Sequence, residues 1–385
     1  MRHWSSAAAE AGLSTVESGP AQGLREQASI SPAWTFDDAR ETHPDQWNAL
    51  VAELGGNVFH HYCYGPTLYN PSNSKPFYAR LVDPQGRCAG AAMGAIQGSR
   101  LWPVGAIFKH AHLSALPLSR NGASAKDSIE SLGRVLRKQG VFTLTVDSYG
   151  APPGCEFADS PVANVVPRAE FHLDLRPGTE ILWKAMAGTR RTQIRRAERE
   201  GLALRLGWDL EDVQSLGRLI QGSAQRFQQS SGEHFESPGP EKLELLWQHL
   251  VRNRLATVFL AEKDGQPLSA NLVCLWNGEA YNLLAGSNLQ GFKIGAASWL
   301  YWEIIKRLEA EGVADFNLGG VDPEGHERHR SGHGLYAFKA DFGARLLRCC
   351  NVRIILRPNR YRLYQAVGNL RTRGRRVMAR GAGSK

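Results

Sequence analysis

The chain has 385 residues, a 42% hydrophobic content, a formal net charge of +9 and six cysteines. That length suffices for two or three domains with a sizeable core. No apolar run approaches the roughly 18 to 20 residues that span a bilayer, and the start "MRHWSSAAAEAGLSTVESG" lacks the continuous apolar region of a secretory signal. With Cys63, Cys88, Cys155, Cys274, Cys349 and Cys350 outside any CxxC spacing, the expectation is a cytoplasmic protein with reduced thiols and no bound metal.

The positive charge is localised. Arg357 to Lys385 holds eight Arg, one Lys and no acid, whereas the preceding 356 residues carry 37 basic and 37 acidic side chains. The tail is a separate electrostatic object: it could meet RNA phosphates or the anionic inner membrane leaflet, or be a solvated end.

In chain order, residues 1–33 read as a flexible leader rich in Ala, Ser, Gly and Glu. "NVFHHYCYG" follows, with His60, His61 and Tyr64 expected in the core or at its rim, and then "ARLVDPQGRCAGAAMGAI", a strand, a polar turn and a strand. Lys109 and His110 in "VGAIFKHAHLS" are low-grade contact candidates. "LRKQGVFTLTVD" reads as a helix end, a capping glycine and a strand, and "LEAEGVADFNLG" repeats it 172 residues later, Leu136 with Leu308 and Gly140 with Gly312.

The second half opens with strand "EFHLDL", helical "EILWKAMAGTRRTQIRRAEREG" and strand "LALRLG". Helices over 210–230 and 240–252, a three-strand meander ending in "AYNLLAGS", helix "GAASWLYWEIIKRLEAEG" and strand "VADFNLGG" complete it. The result is a mixed α/β fold in two similar domains, 34–170 and 171–356, followed by the basic tail 357–385.

Four segments carry possible chemistry. Arg190, Arg191, Arg195 and Arg196 lie on one predicted helix, where Arg191 and Arg195 are one turn apart, a spacing that could grip a diphosphate or form a solvated face. "QGFKIGA" offers Gln290, Lys293, Gly295 and Ala296 as an imperfect phosphate loop. The run "GVDPEGHERHRSGHG" places His326, His329 and His333 beside Glu324 and Glu327; without helix signals it reads as a mobile substrate loop rather than a metal site, and a histidine there could take a proton. Finally, "GLYAFKADFG" sets Lys339 between Phe338 and Phe342, either as a lysine snorkelling past core aromatics or as a cation held for chemistry.

"TRRTQIRRAEREG", "YNLLAGSN", "FNLGG" and "GLYAFKADFG", in this order, resemble the second domain of the Fem-type peptidoglycan-bridge aminoacyl transferases. The resemblance covers 171–345, and the first half only by architecture. It implies two tandem GNAT-like (acyl-CoA N-acyltransferase-like) domains and formation of an amide on a cell-envelope precursor. That acceptor carries a lipid- or nucleotide-linked diphosphate. It implies no tightly bound cofactor and a donor co-substrate, aminoacyl-tRNA or acyl-CoA. The helical arm of many relatives has no counterpart between Arg205 and Ser230. An acyl-CoA enzyme acting on a polysaccharide sugar or amine, and a non-catalytic binding protein, therefore remain as alternatives.

By the same resemblance Phe338 and Lys339 lie at the transfer site, where a fixed cation would stabilise the oxyanion of a tetrahedral intermediate. Asp341 would orient Lys339. Arg190, Arg191, Arg195, Tyr281, Asn282, Ser287, His333 and Tyr336 would contact substrate, and Gln290, Lys293 and Gly295 the donor.

Overall fold

The structure is a computed structural model that describes residues 32–37, 42–68, 73–98, 107–120, 124–151, 163–233 and 235–367. The predicted leader up to Ser31 and the tail beyond Val367 lie outside the described residues. Residues from Pro32 onward form one compact unit.

The first half runs β1 (Ala33–Asp37), α1 (Pro44–Glu53), two 3-10 segments (Val58–His60 and Tyr62–Leu68), β2 (Ser74–Val82), β3 (Cys88–Gln97), β4 (Lys109–Leu113), β5 (Leu118–Ser119), α2 (Ala125–Lys138), β6 (Val141–Val146) and β7 (Ala163–Asp174). The second comprises α3 (Thr179–Ala185), α4 (Gly188–Arg199), β8 (Ala203–Gly207), α5 (Leu210–Ser231), α6 (Pro240–Leu246), β9 (Ala256–Lys263), β10 (Gln266–Trp276), β11 (Glu279–Ser287), α7 (Leu289–Ile294), α8 (Ala296–Ala310), β12 (Asp315–Val321), α9 (His333–Ala340) and β13 (Arg345–Ile355). A last helix, α10, covers residues 358–367.

All strands join one 13-stranded sheet, ordered β1-β2-β3-β4-β6-β13-β7-β12-β11-β10-β9-β8 with β5 on β3. Each half has the same plan. Antiparallel strands lead to β4, which α2 crosses over to the parallel β6, and likewise to β11, which α8 crosses over to the parallel β12. The repeat read from the sequence lies at these crossovers. Gly140 (φ 89) and Gly312 (φ 78) end the two helices in the left-handed region that favours glycine, and a strand follows each.

The final strands are exchanged. β7, the last of the first half, pairs with β12 of the second, and β13, the last of the second, pairs with β6 of the first. The two also pair with one another, antiparallel, from Arg345↔His172 to Ile354↔Ala163. The 170/171 boundary expected from the sequence therefore falls inside β7.

Three apolar clusters follow from the alternation. α2 packs Leu132 and Leu136 on Leu144, Val146 and Val352. α8 packs Leu300, Ile304 and Leu308 on Phe316 and Leu318. A third cluster joins Phe59, Tyr64 and Met93 of the first half to Leu216, Leu272 and Tyr281 of the second. Each such fully buried side chain contributes about 1.5 to 3 kcal/mol of transfer free energy.

The helix expected over 180–201 is instead two helices. Met186, 2% exposed, is extended (φ −64, ψ 143), and the Ala187 N–H donates to the Asp341 carbonyl at 2.8 Å rather than continuing the helical ladder. Lys339 lies on helix α9 and is buried, not a lysine snorkelling to the surface past core aromatics.

Candidate active site

The C-terminal ends of the two parallel strands point toward each other along the central β13–β7 pair. Val146 of β6 lies level, through Val352, with Val165 of β7, whereas Gly320 of β12 lies level with Glu170. Five residue steps along β7, about 17 Å, separate these two levels. Ligands of open α/β sheets bind at such strand ends.

The second-half end opens into a notch. β11 and β12 pair only from Glu279↔Asp315 to Tyr281↔Asn317 and then diverge. Polar side chains line the divergence: the Asn271 amide donates to Asn282 Oδ1 at 2.7 Å, and Asn282 Nδ2 donates to the Tyr301 hydroxyl at 2.8 Å. Gly319 (φ +86) closes the notch, since a Cβ there would lie 3.0 Å from the Asn282 carbonyl and 3.4 Å from Lys339 Nζ.

Lys339 enters this notch from α9. It is 5% exposed, and its ammonium donates to the Gly320 carbonyl at 2.9 Å. Burial pulls its pKa down to about 7; the Glu170 carboxylate opposes that fall and Arg168 adds to it. The two forms of Lys339 are thus close in free energy near neutral pH.

Glu170, 1% exposed, is the hub beside it. It accepts from Arg168 at 2.6 Å, the Tyr281 hydroxyl at 2.6 Å, Asn317 at 2.8 Å and the Gly150 N–H at 3.0 Å. Burial alone would raise its pKa, but His172, Arg168, Tyr281 and Asn317 hold it down to about 2. His172 is half-buried, and although that burial lowers its pKa, Asp315, 2.7 Å from Nδ1, and Glu170 raise it to about 9. The first half contributes directly: Phe59 stands edge-on to Tyr281 at 4.6 Å, and Arg168 lies 4.3 Å from the centre of the Tyr149 ring.

Phe338 packs on Tyr301 at 5.2 Å and Phe342 at 5.4 Å, with the Arg190 guanidinium 4.3 Å above its ring. Arg190, 7% exposed, also donates to Gln193 at 2.7 Å, Ser298 at 2.8 Å and Asp341 at 3.1 Å. Asp341 therefore holds Arg190. It does not orient Lys339, because side chains two residues apart at a helix end do not face each other; the carboxylate next to Lys339 is Glu170.

The other expected residues are distributed around this centre. Tyr281 and Asn282 are in the notch. Ser287 is buried at the β11 end, bonded to Ser269 at 3.0 Å and to Ser223. Tyr336 packs edge-on to Phe171 at 5.0 Å, and His333 lies 3.0 Å from the Gly325 carbonyl. Arg191 and Arg195 gather at Trp183: Arg191 donates to the Trp183 and Lys184 carbonyls at 3.1 and 3.0 Å, and Arg195 lies 5.5 Å from the Trp183 ring centre. The structure thus brings Arg190, and not this pair, to Phe338.

Gln290 and Lys293 are exposed on α7, and Gly295 begins α8. His60 is buried and bonded to the Leu116 carbonyl at 2.8 Å; His61 stands 5.5 Å from Trp276. Ligating atoms of Glu324, His326 and Glu327 lie within 4.8 Å of one another without any helix to space them, but Arg348 and Arg330 already neutralise the two acids at 3.3 Å.

Glu170, Arg168, His172, Asn317 and Asp315 were not singled out in the sequence. The available signal was the alternation Glu170, His172, Asp174 with Phe171, Leu173, Leu175, which reads equally well as the wet face of a strand.

Residues 188–338 match the family model described as an acetyltransferase (GNAT) domain. The chain superposes on the crystal structure of FemX with a TM-score of 0.64 at 12% identity, covering 84% of this chain and 98% of that one. A tandem GNAT protein from the clavulanic acid biosynthesis pathway gives 0.50 at 14% identity, covering 85% and 99%. A conserved protein of unknown function from Bacteroides thetaiotaomicron gives 0.51 at 12%, covering 84% and 99%. No curated protein sequence matches the chain. Residues 188–338 are thus similar to a GNAT acetyltransferase domain. The chain as a whole shares a tandem GNAT fold, Fem-like in architecture, with these structures. Among the described residues no helix is long and apolar enough to cross a membrane.

Proposed function

We propose that this protein forms an amide bond by transferring an acyl or aminoacyl group to an amine of a cell-envelope precursor. The work is divided between two GNAT-like domains, about 34–170 and 171–356. The observation that carries the reading is the buried Lys339 ammonium in the β11/β12 notch. Attack of a neutral amine on the donor carbonyl places negative charge on oxygen in the tetrahedral intermediate. A cation fixed in a dry site can stabilise that charge by roughly 3 to 4 kcal/mol. Phe338, held by Arg190, excludes water, and Tyr281 and Asn282 supply the remaining polar lining. Collapse of the intermediate breaks the donor C–S or C–O bond, and the CoA thiol or tRNA hydroxyl leaves with the proton that the amine gives up. Proximity and charge stabilisation suffice for this aminolysis, so no nucleophilic side chain is needed.

The GNAT domain match supports acyl-CoA as the donor. A Fem-like use of aminoacyl-tRNA is the second reading, favoured by the order of the four motifs; against it, α5 is followed after a short link by α6 rather than by a helical arm. The acceptor would be a diphosphate-bearing muropeptide precursor or an envelope amino sugar. Incubation with acyl-CoA or charged tRNA and each acceptor class, with the product weighed by mass spectrometry, tests the reading. A mass increment on the acceptor that disappears in Lys339→Met is expected. No increment with any pairing, or one unaffected by that substitution, would sink it.

A further inference from the structure

Far from the notch, at the β6 N-terminal end of the sheet, α10 folds back on the first half. Tyr361 and Tyr364 face the Phe142 ring at 6.4 and 5.3 Å, Tyr364 also meets Phe108 at 5.6 Å, and Arg360 reaches the Ile107 and Gly140 carbonyls at 3.3 Å. Three large side chains stay exposed around this packing: Ile107 at 43%, next in sequence to the Phe108 that meets Tyr364, and the adjacent α10 residues Leu363 at 53% and Tyr364 at 52%.

The same face is basic. Arg362 is exposed on α10, Arg137 and Lys138 are exposed at the end of α2, and Arg357, just before α10, donates to the Arg137 carbonyl and so ties the start of α10 to the end of α2. The chain then continues with Arg371, Arg373, Arg375, Arg376 and Arg380 and no acid.

We infer that this face docks the protein on an anionic phospholipid surface, with Ile107, Leu363 and Tyr364 inserted at the headgroup boundary and Arg137, Lys138 and Arg362 paired with lipid phosphates. Apolar groups ringed by cations match such an interface, since each basic group near an anionic leaflet and each inserted apolar side chain adds favourably. A purely electrostatic contact with RNA would have no use for the three exposed apolar side chains. The inference is independent of the transfer chemistry.

Co-sedimentation of the full chain with vesicles of phosphatidylglycerol and phosphatidylcholine, against phosphatidylcholine alone, tests it. Binding to the anionic vesicles that weakens with salt is expected, and Leu363→Glu and Ile107→Glu should each reduce it about tenfold or more. Because these side chains are exposed, both variants should keep the wild-type melting temperature and full transfer to a soluble acceptor. Failure to bind anionic vesicles, or binding unchanged in both variants, overturns the inference. So does selective binding of a single-stranded RNA oligomer that Arg362→Glu abolishes while vesicles are ignored.

Discussion

The Lys339 ammonium donates to the Gly320 carbonyl at 2.9 Å, and Gly320 lies directly across the β12–β7 ladder from Glu170. One backbone carbonyl thus separates the buried cation from the buried carboxylate on which both halves of the molecule converge. The behaviour of Lys339 is set by that neighbourhood, and the predictions begin there.

With a folded pKa near 7, Lys339 is charged below that pH and neutral above it. If the ammonium is the working form, kcat/KM falls as pH rises through about 7. Lys339→Arg, which stays charged throughout, should lose that limb even where its absolute rate is lower. A wild-type profile flat from pH 6 to 9 would contradict the assignment.

The same shift has a stability consequence. In the unfolded chain the lysine keeps its proton up to about 10.4, so between about pH 7 and that value the unfolded state binds more protons, and folding stability from this group rises with pH. Lys339→Met should remove this slope and raise the melting temperature at pH 7 while reducing transfer. Thermal melts across pH 6 to 10 measure it, and a variant less stable than wild type at pH 7 would count against the burial argument.

Glu170→Gln removes the buried carboxylate that opposes the fall of the Lys339 pKa and leaves the half-buried Arg168 without its charge partner. Breaking a buried pair costs about 3 to 5 kcal/mol, so a clear loss in denaturant midpoint is expected. The basic limb of kcat/KM should also move to lower pH. In the wild type, the contribution of Glu170 is fully present above its unfolded pKa and is lost as pH falls toward about 2. An unmoved limb in a folded variant would show that Glu170 does not act on Lys339.

Arg190 is anchored by three side-chain bonds and stacked on Phe338. Lysine cannot reproduce a planar, forked group, so Arg190→Lys should loosen α9 nearly as much as Arg190→Ala. Hydrogen exchange of residues 333–340 should accelerate in both. Rescue by lysine would mean that charge alone matters.

The exchange of β7 and β13 predicts that neither half is stable alone. A chain ending at Gly343 loses the strand between β6 and β7, leaving both with an open edge. Co-expressed fragments split at the Arg176–Pro177 turn that follows β7 should associate, whereas each by itself should aggregate. A monomeric, cooperatively melting single half would refute this.

Much of this arrangement was legible in the sequence, because it is local. Helix, glycine and strand recur at Gly140 and Gly312 since a helix end needs a left-handed residue before its strand, and the meander announced itself by alternation and turn residues. Phe338 and Lys339 stood out as a cation among aromatics. What was not legible depends on pairing across long stretches of chain. Glu170 and His172 read as a solvent face until β7 is seen to be central, flanked by β13 and β12. Arg190 and Arg191 stand about 100° apart on a helical wheel, but only the start of α4 after the break at Met186 and Ala187 fixes which of them meets Phe338 and which meets Trp183.

The most direct measurement is single-turnover transfer by wild type and Lys339→Met, with product formation followed by mass spectrometry and donor binding by calorimetry. The account predicts a fall of about 100- to 1,000-fold in rate, with donor affinity and fold unchanged. A folded Lys339→Met protein that transfers at the wild-type rate would contradict it.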